Sequence, residues 1–494
     1  MRPVGGGSVF WMGVALVVAG GVAAVAGESR AEPARPADDR PNLLFAIADD
    51  WGWPHAGAYG DAVVRTPTFD RLAREGVLFH HAFVAAPSCT ASRGAILTGQ
   101  AIHRLEEGGN LWSILPQKFP VYPDLLEASG YAVGHARKGW GPGTLAGSGR
   151  TRNPAGPQFK SFEEFWKTLP DGKPFCFWFG SLDPHRPYER DSGLRSGLKP
   201  DAVQVPAFLP DTPVVRRDIL DYYFEIERFD REVGQIVGLL EKAGRLDNTI
   251  VVMTSDNGMP FPRAKATLYD GGTRVPLAVR WPAKVRGGRS VEDFISGCDF
   301  APTFLEAAGL KPLAEMTGRS FLDLLTGGRA GRVDPRRDKV FTERERHAAV
   351  REGNKSYPVR AVRTREFLYL RNLRPQLWPA GDPAFPNVVG PFGDVDGSPT
   401  KSEILDRREE AAMAPFFTLA FAKRPAEELY DLTKDPAQLH NVAGAPEYAA
   451  AQKKLRAELE RWMRETGDPR AEGETDFWDT CPYVAGQPRP KAKR

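Results

Sequence analysis

The run Asn42-Leu-Leu-Phe-Ala-Ile-Ala48 is apolar at nearly every position and stops abruptly at Asp49-Asp50-Trp51-Gly52. Uninterrupted apolar runs of this length mark strands covered on both faces, the environment of a parallel sheet. Similar runs recur at 77–84, 131–136, 174–181, 249–255 and 275–280. Between them lie segments with helical punctuation. Thr66-Pro67 opens one that continues through Glu75 to a stop at Gly76, and another, Tyr122 to Ser129, precedes Gly130. The longest, from about Pro213 to Lys242, is amphipathic. Strands alternating with helices at this spacing predict an α/β fold, a mostly parallel doubly wound sheet flanked by helices.

Arg280-Trp281-Pro282 is followed by a linker and a helix predicted over Ala301 to Ala308. From about Asp338 the pattern changes to short strands, at 340–343, 357–363 and 367–370, which predict a small antiparallel sheet. Pro375 to Lys401 is rich in Pro, Gly and Asp and reads as loop. A last helix, roughly Pro446 to Thr466, has Tyr448, Leu455, Leu459 and Trp462 at helical spacing and is expected to lie across that second sheet. This divides the chain into an N-terminal domain at 41–335, a smaller C-terminal α+β subdomain at 336–470 and a tail at 471–494. The last twelve residues, basic with two prolines, are expected to be disordered.

The N-terminus carries Arg2, an apolar run from Val9 to Ala26 and small residues at Ala24-Val25-Ala26. This is the pattern of an export signal over 1–26 with a polar leader at 27–40; an uncleaved anchor is the alternative. The mature protein is expected to be exported, periplasmic or secreted, without a stable membrane span after cleavage. Basic and acidic side chains number 66 and 63, a formal charge of +3, which argues against a nucleic-acid partner. Cysteine is sparse: Cys89, Cys176, Cys298 and Cys481. With Cys89 in chemical use an odd number remains, so the fold is expected to stand without disulfides, a Cys176–Cys298 pair being the alternative.

Functional groups of open α/β sheets collect beyond the carboxyl ends of the strands. Asp49, Asp50, Asp256 and Asn257 fall at two such ends and offer hard oxygen ligands suited to Ca²⁺, less to Mg²⁺, and not to zinc. Cys89 falls at the start of a helix predicted over 90–98, where unpaired N–H groups and the helix dipole favour an anion. Arg93, one turn on, adds a fixed positive fork. Lys138, His185 and Lys265 bring further cations or proton donors to the same edge.

These motifs together resemble the type I, formylglycine-dependent sulfatases of the alkaline phosphatase superfamily, from Pro41 to about Ala443. Cys89-Thr-Ala-Ser-Arg93 with Ile96-Leu-Thr-Gly99 is similar to the family's Cys-x-Pro-Ser-Arg…Leu-Thr-Gly signature, whose Cys is oxidised to formylglycine by a maturation enzyme. Asp49-Asp50-Trp51-Gly52 and Ser255-Asp256-Asn257-Gly258 resemble its metal segments, with Cys89 as a further ligand. Pro184-His185 and Lys265…Asp270-Gly-Gly-Thr-Arg-Val-Pro276 resemble its catalytic His and Lys segments, and Glu428-Leu-Tyr-Asp-Leu432 a C-terminal one.

Two positions depart from the pattern. Ala91 replaces the usual Pro, and Gly-Lys-x-His becomes Arg137-Lys138-Gly139-Trp140, so the His partner of Lys138 is missing. The resemblance implies catalytic roles for Cys89, Arg93, Lys138, His185 and Lys265. It further implies hydrolysis of sulfate, O- or N-linked, from a carbohydrate. Two alternatives use the same scaffold: a phosphodiester or phosphonate monoester hydrolase, and a non-catalytic binder of sulfated glycans. Gly393-Asp-Val-Asp-Gly-Ser-Pro-Thr-Lys401 is similar to a bacterial branch near N-sulfoglucosamine sulfohydrolase, and Trp112, Trp140, Trp378 and Trp478 are candidates for stacking on sugar rings.

Overall fold

The structure is a computed structural model that describes residues 8–10, 39–387 and 389–485. The predicted signal and leader, 1–40, lie outside the described residues apart from 8–10 and 39–40. The described residues from 39 onward form one unit built on two sheets.

The first sheet contains β1 (Asn42–Ala48), β2 (Val77–Phe83), β3 (Ala132–Arg137), β4 (Gln158–Phe159), β5 (Phe175–Gly180), β6 (Thr249–Ser255), β7 (Leu277–Arg280) and β8 (Arg289–Ser296). Their order is β4-β3-β5-β1-β6-β7-β2-β8. Only β7 is antiparallel to its neighbours. The remaining pairs are parallel, as the continuous apolar runs require. Alternation along β1 divides the core in two: Leu43, Phe45 and Ile47 pack with Ile96, Leu126 and Phe304. Leu44, Ala46 and Ala48 pack on the opposite face with Phe69, Leu72, Ile219 and Phe229. The helix Pro213–Lys242 on that face starts where its signals put it: Pro213 holds the first position and the Thr212 side chain accepts from Val215 N.

The second sheet is antiparallel throughout: β9 (Lys339–Arg344), β10 (Val359–Thr364), β11 (Phe367–Asn372) and β12 (Glu427–Asp431), in the order β12-β11-β10-β9. The helix Ala449–Glu465 lays Leu455, Leu459 and Met463 on Val362, Tyr369 and Leu429, as expected. Glu343 N donates to Ala85 O at 2.9 Å, stitching β9 to the segment that leads into Cys89.

The structure corrects one expectation. The linker predicted after Pro282 contains β8, an edge strand. Polar Arg289 and Asp293 interrupt its apolar pattern, yet both are buried and bonded, Asp293 accepting from Val333 N and Asp334 N. The tail expected over 471–494 is packed as far as 485, with a helical turn at Phe477–Thr480 and Trp478 fully buried. Asn110 Nδ2 donates to Trp478 O at 2.9 Å and Arg346 to Cys481 O at 2.7 Å, so side-chain bonds to its carbonyls anchor the segment. Residues 486–494 lie outside the described residues.

Candidate active site

β1, β2, β3, β5 and β6 all run toward one edge of the first sheet, and the loops beyond them hold the predicted residues. Asp49 and Asp50 follow β1, and Cys89 opens the helix Cys89–Thr98 after β2. Lys138 follows β3, His185 follows β5, and Asp256 and Asn257 follow β6. Lys265 comes from the loop between β6 and β7, which meets this edge because β7 starts there and runs back.

The structure brings all of these side chains together. Cys89 Sγ lies 3.4 Å from Asp49 Oδ1 and 3.7 Å from Asn257 Oδ1, within reach of either as a donor. Arg93 Nε donates to Asp256 Oδ2 at 2.7 Å, while its Nη1 reaches the carbonyls of Lys138 and Gly139. Lys138 Nζ lies 2.6 Å from both Asp49 oxygens. Lys265 Nζ lies 2.6 Å from Asp50 Oδ2, and Asn257 Nδ2 donates to Asp50 Oδ1. His185 is the most exposed member, its Nε2 4.0 Å from Asp50 Oδ2 and its Nδ1 2.6 Å from Arg186 O.

The backbone is bent to make this possible. Asp50 (φ 81), Arg137 (φ 58) and Ala266 (φ 57) hold left-handed conformations without being glycine, each beside or at a site residue. Such conformations cost about 1–3 kcal/mol each and persist where surrounding contacts over-determine them. Gly180 serves the same end: a Cβ there would meet Lys138 O at 1.6 Å, so only glycine lets β5 close on the Lys138 turn.

Buried charge sets the electrostatics. Burial alone would raise the Asp49 carboxyl, but Lys138, then His185 and Arg93, together hold it far below the usual carboxylate range. Asp256 moves the other way: burial raises it, and repulsion from Asp49 and Asp50 adds to the rise against Arg93 and Lys138. Burial and the Asp256 charge push the Cys89 thiol well up. Lys265, although burial disfavours its charge, is held well above the ordinary lysine value by Asp396 and Asp50.

The ligand atoms of Asp49, Asp50, Cys89 and Asp256 lie within 4.8 Å of one another, all on buried residues. Carboxylates so close repel one another, and a cation standing among them relieves that repulsion. The donor set therefore fits a hard divalent cation.

Two residues of this site were not anticipated. Asp396 Oδ2 lies 3.2 Å from Lys265 Nζ and forms a cluster with Asp50 and His185. Its acidic glycine-bearing loop was visible in the sequence, but not its partner. His347, from the connection between β9 and β10, bonds Ser88 Oγ through Nδ1 at 3.0 Å; no local pattern marks it. Two of the candidate stacking tryptophans are removed: Trp140 is packed in the first core and Trp478 is fully buried, so neither presents a face to a sugar. Trp112 and Trp378 are half-buried.

The mostly parallel sheet, with cationic and acidic side chains gathered around Cys89 at a helix N-terminus, is an alkaline-phosphatase-like fold whose site suits an anion. The chain belongs to the sulfatase family: the family model Sulfatase matches residues 41–310, and the model N-sulphoglucosamine sulphohydrolase, C-terminal matches 263–377. It is a sulfuric ester hydrolase. The human N-sulphoglucosamine sulphohydrolase is 30% identical over 487 residues, 87% of this chain and 91% of that protein. An ulvan-active sulfatase of Formosa agariphila is 28% identical over 503 residues, 92% of this chain and 80% of that one. A solved structure in complex with its substrate D-glucosamine-2-N,6-O-disulfate superposes with a TM-score of 0.64 at 20% identity, covering 88% of this chain and 100% of the other.

Proposed function

We propose that the protein is an exported carbohydrate sulfatase whose nucleophile is formylglycine made from Cys89 by a maturation enzyme. The observation that carries this reading is the placing of Cys89 at a helix N-terminus, within 3.7 Å of Asp49 and Asn257 oxygens and ringed by Arg93, Lys138 and Lys265. The Sγ of Cys89 marks the place of the formylglycine oxygens. Asp49, Asp50, Asp256 and Asn257 would hold Ca²⁺, which supplies charge neutralisation and lowers the pKa of an oxygen bound to it.

The residues divide the remaining work. Hydrated formylglycine is a geminal diol, one hydroxyl of which attacks sulfur in line. Lys138 and Lys265 stabilise the sulfate oxygens as their charge shifts. His185 protonates the departing oxygen or nitrogen: its side chain is 36% exposed, whereas Lys265 is clamped by two carboxylates that tighten its hold on its proton.

A sulfated glucosamine, including an N-sulfate, is the favoured substrate class. The C-terminal match to the N-sulphoglucosamine sulphohydrolase model and the human relative of that name support it, as does the fold likeness to the disulfated glucosamine complex. The test is a panel of O- and N-sulfated mono- and disaccharides assayed for free sulfate, beside aryl phosphate and phosphonate esters assayed for phosphate and phenol, with the mass of the Cys89 peptide. Sulfate release with an aldehyde-mass residue 89 is expected. Faster hydrolysis of the phosphorus esters favours the phosphonate or phosphodiester reading; an unmodified thiol with no turnover favours a glycan binder.

A further inference from the structure

His185 is the proton donor to the departing atom in the reading above, so a group beside His185 also borders the place of that atom. Asp396 is such a group. Its carboxylate, the Asp50 carboxylate and a ring nitrogen of His185 lie within 4.8 Å of one another. Asp396 Oδ2 also lies 3.2 Å from Lys265 Nζ, an ion pair without the alignment of a hydrogen bond. An ionised carboxylate has about four lone-pair positions. The Asp396 side chain is 28% exposed, so acceptor positions remain open to a bound molecule.

Asp396 is held in place from both sides. Asp394 Oδ2 accepts from Arg344 and Arg351, each at 2.6 Å, and its Oδ1 accepts from Ala348 N at 2.9 Å. Val395 is buried in a cluster with Phe392, Ile404 and Phe421. On the far side, Ser398 Oγ accepts from Lys401 N and caps the helix Pro399–Asp406. Thr400 Oγ1 donates to Asp218 Oδ2 at 2.6 Å, and Asp218 pairs at 2.7 Å with Arg186, the residue after His185. Thr400, Asp218 and Arg186 thus tie the Asp396 loop to the His185 segment, and the fold sets the spacing of carboxylate and imidazole.

That spacing suits one kind of atom. A tetrahedral nitrogen bonded to two partners, each about 3 Å away, holds them about 4.9 Å apart. Asp396 and His185 stand within that span. A sulfamate nitrogen, R–NH–SO₃⁻, carries an N–H and can donate to a carboxylate while it receives a proton from an imidazole. The bridging oxygen of a sulfate ester carries no hydrogen, and a carboxylate beside it meets lone pairs instead. Polar groups built to pair with a substrate discriminate strongly, because the wrong substrate leaves them unpaired.

Resting on the sulfatase reading, we propose that Asp396 is the specificity-determining residue that selects a nitrogen-linked sulfate, accepting the N–H of the scissile N–S bond. As an ionised oxygen of residue 89 bonds to sulfur, the N–S bond breaks and its electron pair stays on nitrogen. Nitrogen takes the His185 proton and leaves as the amine, its N–H still directed at Asp396. An ester offers Asp396 no hydrogen until its oxygen has been protonated.

N-sulfoglucosamine and glucose 2-sulfate differ only in the bridging group, and p-nitrophenyl sulfate supplies a reactive O-linked reference. Wild type, Asp396→Asn, Asp396→Ala and Asp396→Glu, each with matured residue 89, are compared by kcat/KM for sulfate release from all three. The ratio of N-linked to O-linked kcat/KM cancels any loss that Lys265 or the fold imposes on both. Wild type is expected to favour N-sulfoglucosamine, and the ratio to fall by about tenfold or more in the Asn and Ala variants and by less in Glu. A smaller fall in Asn and Ala, with both rates dropping together, overturns the proposal and leaves Asp396 as a support of Lys265. If those two fail to fold, Asp396→Glu decides, because it keeps the charge beside Lys265 and shifts the acceptor by one methylene; an unchanged ratio then overturns the proposal. A wild type that hydrolyses O-sulfates but not N-sulfoglucosamine also overturns it, with the sulfatase reading intact. A wild type that releases no sulfate from any saccharide or aryl probe overturns the sulfatase reading, and the proposal with it.

Discussion

Arg93 and Asp256 form an ion pair at 2.7 Å with both side chains fully buried, and the same guanidinium reaches the carbonyls of Lys138 and Gly139. One side chain thus joins the ends of β2, β3 and β6. Removing one partner of a buried pair leaves the other charge unpaired in a dry site, at a cost of about 3–5 kcal/mol. Asp256→Ala is expected to lose that much stability in urea denaturation, together with its metal content and all turnover. Asp256→Asn keeps an acceptor for Arg93 and is expected to retain most of the stability while still losing activity. A metal-replete, active Asp256→Ala enzyme counts against the ligand assignment.

Asp49, Asp50 and Asp256 converge within 4.8 Å, and mutual repulsion contributes to the raised Asp256 carboxyl. A cation that binds only the folded state adds stability by mass action, about 2.7 kcal/mol at a hundredfold excess over Kd. Chelation with EGTA is expected to lower the melting temperature, and added Ca²⁺ to restore it more effectively than equal Mg²⁺, because several carboxylate and amide oxygens in an irregular arrangement suit the larger ion. Scanning fluorimetry with a titration of each ion checks this; an unchanged melting temperature under chelation argues for a site without a structural cation.

Much of this site was legible because strand ends are punctuated. The apolar run 42–48 stops at two aspartates and the run 249–255 stops at Asp256-Asn257, so a parallel sheet alone places them at one edge. Cys89, Lys138 and His185 follow by the same rule. The residues missed come from elsewhere in the topology. His347 enters from the connection between β9 and β10, and Asp396 from a long loop, and no local spacing indicates that either reaches the edge. β8 was missed for a related reason: buried Arg289 and Asp293 break its apolar pattern, and their partners lie some forty residues away in the chain.

The family histidine cannot be restored by a point change. Trp140 is 5% exposed and packs in the core with residues such as Leu97 and Leu105. Shrinking a buried tryptophan removes apolar contacts and leaves a cavity, a loss of order 3 kcal/mol. Trp140→His is expected to lower stability by about that amount, measured by denaturant unfolding, without a gain in kcat. A stable variant with faster turnover would show that the ring reaches the reacting atoms after all.

His103 gives the fold a pH dependence that can be assigned in sign. Its Nδ1 lies 2.8 Å from Glu343 Oε2 in a buried cluster with Asp468 and Arg360. Burial, the largest influence, disfavours the imidazolium, but Glu343 and then Asp468 outweigh it and raise the pKa above the ordinary histidine value of about 6.5. A base held more tightly protonated in the folded state contributes stability that is fully present below about pH 6.5 and is lost as pH rises through the folded value. His103→Gln removes that contribution. The melting-temperature difference between wild type and His103→Gln is therefore expected to be largest near pH 6 and to shrink steadily toward pH 9. A difference that stays constant over that range would mean that His103 is neutral in the folded protein and that Glu343 is held by Ile102 N and Arg360 without it.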